Sequence, residues 1–212
     1  MAVGLKYRPN FSMDQTTRKL DGSDPSAITQ GAALLKAGQT VVFPTDTVYG
    51  VGTGALNEEG IKRIYGAKVR EAAKGIPILL ADISDLDQVA IEIPRLAWEL
   101  AEQHWPGALT LIIPKNRNLP SNISPNSGIA VRIPDHDLCR DLIRQAGGVV
   151  ATTSANLSGQ PAALSAADAI AQLDGRVAAV IDGGPVSGGI PSTIISLLEE
   201  RPVVIRQGPI KI

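Results

Sequence analysis

A chain of 212 residues that is 44% hydrophobic can bury one full core and leaves little room for a second domain of any size. Twenty basic residues against 21 acidic ones give a net charge of −1, so no whole-protein field announces a nucleic-acid or membrane surface and any anion site must be local. A single cysteine, Cys139, excludes an internal disulfide and a cysteine-cluster metal site, and the two histidines, His104 and His136, are too far apart to suggest zinc.

No apolar run approaches the roughly 18 residues of a membrane span, and the first 20 residues lack a signal-peptide core, so the expectation is a cytoplasmic protein with no membrane association. Residues 1–24 are polar and weakly periodic and read as a loose extension, with a single catalytic domain over 25–212. Asp24 and Pro25 supply an N-cap and a first-turn proline, and Ile28, Ala32 and Leu35 share a face until Gly38 closes the helix. The strand Val41, Val42, Phe43 follows and is stopped by Pro44, which exposes Thr45, Asp46, Thr47 and Tyr49 at a strand end, where open α/β sheets place ligands.

After a second strand near 51–55, Asn57 caps a helix predicted over 57–70, with Ile61, Ile64, Tyr65 and Lys68 on one stripe. Lys68 can lay its stem on apolar surface and deliver its ammonium to a cleft edge. Between Gly60 and Leu80, Lys62, Arg63, Lys68, Arg70 and Lys74 stand against Glu71 alone, a surplus that wants an anion. The plainer reading is that Lys68 and Arg70 complement the negative helix C-terminus.

Strands are predicted at 76–80 and 109–113, separated by a helix opened by Pro94 in which His104 reads as a packed or capping histidine. In IAVRI, Ile129, Val131 and Ile133 face one way, so Ala130 and Arg132 face the other; the arginine needs a partner, either a structural ion pair or a ligand. A helix over 137–146 and the strand VVAT lead into Thr152, Thr153, Ser154, Ala155 and Asn156, whose plain reading is a well-made turn. Ser165 with Asp168 marks a capping box, and Val177 to Ile181 a strand. The glycine-rich residues 182–191 form a flexible loop able to bring amides to an anion and to close over a bound nucleotide, and strands near 192–197 and 203–206 complete the chain. The alternation of about nine strands with helices predicts an α/β fold, a twisted mixed β-sheet flanked by helices around a central cleft.

Taken in order, PTDTVYG at 44–50, Lys68 and Arg70, WPGALT at 105–110, VRIPDH at 131–136, SANLSG at 154–159, STI at 192–194 and Arg206 resemble the YrdC family of threonylcarbamoyl-AMP synthases, in its single-domain form. Glu71, Gly75 and Ala108 stand where that family usually carries proline. The resemblance implies synthesis of threonylcarbamoyl-adenylate and pyrophosphate from L-threonine, bicarbonate and ATP, for tRNA modification. It implies that Lys68 and Arg70 are catalytic; that Lys68, Arg70, Lys74, Ser154, Asn156 and Arg206 hold ATP; and that Thr47, Arg132, Thr152 and Ser192 hold threonine. It also implies Mg2+ carried in with ATP without assigned protein ligands, a downstream tRNA threonylcarbamoyl transferase complex as partner, and weak contact with tRNA. The rival class is an RNA-binding module of the same fold. An aromatic content of 3% offers it no stacking platform.

Overall fold

The computed structural model describes residues 16–69 and 75–211. In chain order these form β1 (Arg18–Asp21), α1 (Pro25–Lys36), β2 (Val41–Phe43), β3 (Gly50–Gly54), α2 (Glu58–Lys68), β4 (Ile78–Leu80), a 3-10 turn (Ile83–Gln88) and α3 (Arg95–His104). There follow β5 (Leu109–Pro114), β6 (Gly128–Arg132), α4 (Asp137–Gln145), β7 (Val149–Ser154), α5 (Ala166–Leu173), β8 (Ala179–Asp182), β9 (Thr193–Ser196) and β10 (Val203–Arg206). All ten strands join one mixed sheet in the order β1-β8-β2-β3-β7-β4-β6-β5-β9-β10.

The predicted α/β class and nearly every element are present, and the helix starts follow local chemistry. Asp24 accepts from the Ser26 amide, Asn57 from the Gly60 amide and Ser165 from the Asp168 amide, each supplying an acceptor to a helix end that has none of its own. Helix α2 runs to Lys68, where Val69 turns into the left-handed region at φ 52° and caps it.

Residues 18–21 correct the expectation of a loose extension through residue 24. They run parallel to β8 along Ala179 to Asp182, and the buried Thr17 donates its hydroxyl to the Val177 carbonyl at 3.0 Å. An unpaired β8 edge would expose a row of backbone donors and acceptors, and this short polar segment covers it. Four residues alternating so weakly carry no readable strand signal.

Strand pairing divides the sheet into two faces. Val41, Phe43, Ala179 and Ile181 pack with Leu35 of α1 and Leu142 and Ile143 of α4. Val42, Val51 and Val180 turn the opposite way, onto Ala169 and Leu173 of α5. On that opposite face, Ile78, Leu111, Val131 and Ile195 pack with Ile61 and Ile64 of α2 and Leu100 of α3. One face is thus covered by α2, α3 and α5 along its length, whereas α1 and α4 cover only half of the other.

One glycine shows how closely α2 sits on the sheet. A Cβ at Gly60 would collide with the Thr53 hydroxyl, itself buried and without a hydrogen-bond partner among the described residues. Gly60→Ala, which in an exposed helix would add up to about 1 kcal/mol, is therefore expected to destabilise this protein by roughly 1–3 kcal/mol in chemical unfolding.

Candidate active site

The half of the sheet face that no helix covers is a cavity of about 700 Å³. Its floor is set by strand parity: Thr110 and Ile112 of β5, Ala130 and Arg132 of β6 and Ile194 and Ser196 of β9 point into it, while their odd-numbered neighbours Leu111, Val131 and Ile195 point into the core. The loop 44–49 between β2 and β3 walls one end with Thr45, Thr47 and Val48, and Thr152 to Ser154 of β7 form a side. The described lining holds two arginines, Arg132 and Arg206, and no carboxylate.

Arg132, only 6% exposed, is the most constrained of these groups. Its Nε donates to the Gly107 carbonyl at 2.8 Å, its Nη1 to the Thr47 hydroxyl at 3.1 Å, and its Nη2 to the Asp46 carboxylate in a short charge-assisted contact. Three of the five guanidinium N–H groups are so engaged, which leaves one on each terminal nitrogen for a ligand. Thr47 lies within 3.0 Å of the Thr45 hydroxyl, which itself donates to the Val48 carbonyl at 2.7 Å. The Thr47 proton therefore goes to Thr45, and toward the cavity Thr47 can only accept.

Across the cavity, the buried hydroxyls of Thr110 and Ser192 lie 2.7 Å apart. Arg206 grips Ser192 at three points, with Nε and Nη2 on its carbonyl at 3.0 and 2.8 Å and Nη2 on its hydroxyl at 3.2 Å. Burial, and after it the charge of Arg132, push the Arg206 guanidinium below its ordinary pKa. Two like charges lining one cavity favour an anion between them.

The structure sorts the sequence-predicted residues into three groups. Thr47, Arg132, Thr152, Ser154, Ser192 and Arg206 line one cavity. The Thr152 amide is already committed to the Pro77 carbonyl at 2.8 Å, and its hydroxyl, which donates to the Val150 carbonyl at 3.2 Å, can offer a ligand only an acceptor. Lys68 and Asn156 stand behind the wall. The Lys68 ammonium is 2.5 Å from the Asn156 carbonyl, 3.3 Å from its side-chain oxygen and in short contact with the Ser154 carbonyl, in a residue only 2% exposed. The Asn156 amide donates to the Leu157 and Gln160 carbonyls at 2.8 and 2.7 Å. Arg70 and Lys74 lie outside the described residues.

The basic surplus between residues 60 and 80 is partly spent on structure. Lys62 pairs with Glu58 and Glu59 on the surface, Arg63 donates to the Gly38 carbonyl at 2.7 Å, and Lys68 holds the 154–156 turn. Two residues to which sequence reasoning assigned no role in binding prove central: Asp46, the partner of Arg132, and Thr110, the partner of Ser192. Thr110 could have been found from strand parity, since it is the one polar side chain that residues 109–113 direct away from the core.

The glycine-rich loop is tied down at both ends. Tyr49, fully buried and with its pKa pushed up to about 12 by burial, donates to the Gly184 carbonyl at 2.6 Å and accepts from the Gly183 amide at 3.3 Å. The Gly189 amide donates to the Thr47 carbonyl at 2.8 Å. A Cβ at Gly188 would collide with the Asp46 carbonyl and come within 2.8 Å of the Thr47 Cα. Gly188→Ala should therefore lift the loop off Thr47, costing about 1 kcal/mol for the lost hydrogen bond. Faster hydrogen exchange at the Gly189 amide, with the sheet amides unchanged, is the expected signature.

Among the described residues no group of three or more His, Cys, Asp or Glu is placed to hold a metal ion. The described lining itself offers hydrogen bonding and fixed positive charge.

Comparison with known proteins agrees with this geometry. The Sua5/YciO/YrdC family model, described as "Telomere recombination", matches residues 33–208. The chain is 42% identical over 199 residues to the threonylcarbamoyl-AMP synthase of Bacillus subtilis and 40% identical over 178 residues to that of Pyrococcus abyssi, covering 92% and 84% of this chain. It spans only 56% and 52% of those proteins. The crystal structure of Pyrococcus abyssi Sua5 complexed with L-threonine superposes with a TM-score of 0.86 at 38% identity, covering 91% of this chain and 57% of that one. The fold alone is shared with Escherichia coli YciO, at 24% identity and a TM-score of 0.81, covering 92% of this chain and 96% of that one. With the family model matched over residues 33–208 and the fold shared with Sua5, the protein belongs to the Sua5/YciO/YrdC family.

Proposed function

We propose that this chain is an L-threonylcarbamoyladenylate synthase, a transferase that joins L-threonine, bicarbonate and ATP and releases pyrophosphate. One observation carries the reading: the clamped Arg132 with two N–H groups to spare, set in the same cavity as the Thr110–Ser192 hydroxyl pair and Arg206, with no carboxylate in the described lining. A carboxylate suits the guanidinium fork, and a substrate hydroxyl suits the paired hydroxyls. The relatives named as threonylcarbamoyl-AMP synthases and the Sua5 complex with L-threonine support the choice of amino acid.

The threonine amine adds to bicarbonate with loss of water to give a carbamate. A carbamate oxygen then attacks the α-phosphorus of ATP, and the bond to the leaving pyrophosphate breaks. No protein nucleophile is required; the site must align the two reactants and offset negative charge. Arg132 and Thr47 would hold the amino acid, Ser154 and Arg206 would face the nucleotide, and Arg70 and Lys74 would reach the phosphates from the segment beyond Val69. Lys68 and Asn156 would act by shaping the turn that carries Ser154. Mg2+ would enter with ATP, neutralising part of the phosphate charge.

Action in the cytoplasm, delivery of the product to a tRNA threonylcarbamoyl transferase complex and weak tRNA contact belong to the same proposal. No helix of the described residues is long and apolar enough to cross a membrane. The test is pyrophosphate release from ATP and bicarbonate with each amino acid in turn. Threonine should be the best substrate, serine next and valine poor, because a site built to pair a hydroxyl leaves its own polar groups unpaired when that hydroxyl is missing. Equal rates with valine would sink the assignment, and salt-sensitive RNA binding without pyrophosphate release would favour the RNA-binding module.

A further inference from the structure

We propose that Asp46 is a positioning residue for substrate recognition: it never meets the substrate, and it sets the plane in which Arg132 offers its two spare N–H groups. The inference rests on the synthase reading. Asp46 is absent from the cavity lining although its neighbours Thr45 and Thr47 are part of it. Its carboxylate contacts Arg132 Nη2 from behind, with the two side chains 17% and 7% exposed.

The geometry explains why a carboxylate belongs beside a site that binds a carboxylate. The Gly107 carbonyl and the Thr47 hydroxyl fix Nε and Nη1, but both are neutral, and each fixes one edge. A guanidinium held at two neutral points can still rock toward any anion that enters, and Arg206, already disfavoured by the Arg132 charge, repels it. The anionic third point at Nη2 closes the clamp. Asp46 is itself held, since Gly188 packs directly on its carbonyl and the Gly189 amide is bonded to the next residue's carbonyl. Arg132 thus presents one fork in one plane, at the cost of part of its raw attraction for anions.

The test uses the intact chain as wild type, Asp46→Asn and Asp46→Glu. Pyrophosphate release is measured with threonine varied and with ATP varied, and L-threonine binding is measured separately by calorimetry. Asp46→Asn should raise KM and Kd for threonine about tenfold or more, the scale on which a misplaced binding group costs an enzyme. KM for ATP should stay within about twofold, a split that general weakening of the fold would not produce. Asp46→Glu keeps the charge but displaces the guanidinium, and should show the same split in smaller measure; if the asparagine variant folds poorly, the glutamate variant alone decides. An unchanged threonine KM overturns the proposal, as does an equal rise for both substrates. A lowered threonine KM overturns it too, because Asp46 would then only temper the charge of Arg132. Failure of the synthase reading shows instead in the wild type, as pyrophosphate release indifferent to threonine, and the calorimetric comparison stands either way.

Discussion

Arg132→Ala is expected to lower kcat/KM for threonine at least about a hundredfold and to destabilise the fold by roughly 3 kcal/mol. Both effects arise from the same clamp. The side chain is 6% exposed, and its removal strands the Asp46 carboxylate, the Gly107 carbonyl and the Thr47 hydroxyl at a buried wall. A large share of the stability loss is the penalty of leaving Asp46 without its counter-charge, so the double variant Arg132→Ala, Asp46→Asn should be more stable than Arg132→Ala alone. Arg132→Lys tests geometry against charge. A lysine ammonium restores a positive charge near Asp46 but cannot serve three separated acceptors and still offer a planar fork, so it should recover more stability than activity. Thermal unfolding and threonine-dependent pyrophosphate release measure the two effects separately, and an Arg132→Ala protein with ordinary turnover would reduce Arg132 to a structural ion-pair partner.

Lys68→Ala should cost stability on the same scale. The ammonium is buried against two backbone carbonyls and an amide oxygen of the 154–156 turn, and the Lys68 carbonyl in turn accepts from the Ser158 amide at 3.0 Å. Truncation leaves those acceptors without their cation, at about 1–3 kcal/mol for each one stranded, and opens a space where the stem lay. A total near 3 kcal/mol would lower Tm by roughly 6–12 °C for a chain of this size. Activity should fall with it, because Ser154 lines the cavity from the turn that Lys68 holds. Lys68→Met, which keeps the stem, should recover the packing and not the turn. Hydrogen exchange at Ala155 and Ser158 separates this account from direct phosphate contact: both amides should lose protection in the free protein, before any nucleotide is added. Unchanged protection and Tm with lost activity would return Lys68 to the phosphates.

Much of this protein was legible in one dimension because the relevant physics is local. The N-caps Asp24, Asn57 and Ser165, the stop at Pro44 and the alternation in residues 129–133 each depend on neighbours within a few positions, and all appear where expected. Thr47, Arg132 and Ser154 stood out as polar groups at strand ends or on the polar side of a strand, Ser192 and Arg206 only through the family resemblance, and the fold brings all five to one cavity. The edge strand β1 did not stand out, because four mostly exposed residues owe their extended form to the β8 edge beside them rather than to a pattern of their own.

By itself the sequence determined which residues could take part: it marked Arg132 as an arginine in need of a partner and Lys68 as a cation on a core-facing stripe. Only the tertiary structure decided which partners they have. Asp46 lies 86 residues from Arg132 in the chain, and in isolation Thr-Asp-Thr reads as turn chemistry; it becomes a counter-charge because β2 and β6 set their ends against the same cavity. Lys68 likewise lies 88 residues from Asn156, and helical spacing could direct its ammonium inward without saying whether phosphate or carbonyls would meet it there. A buried charge must be satisfied by whatever the fold brings within reach, and that is a property of chain packing, not of local pattern.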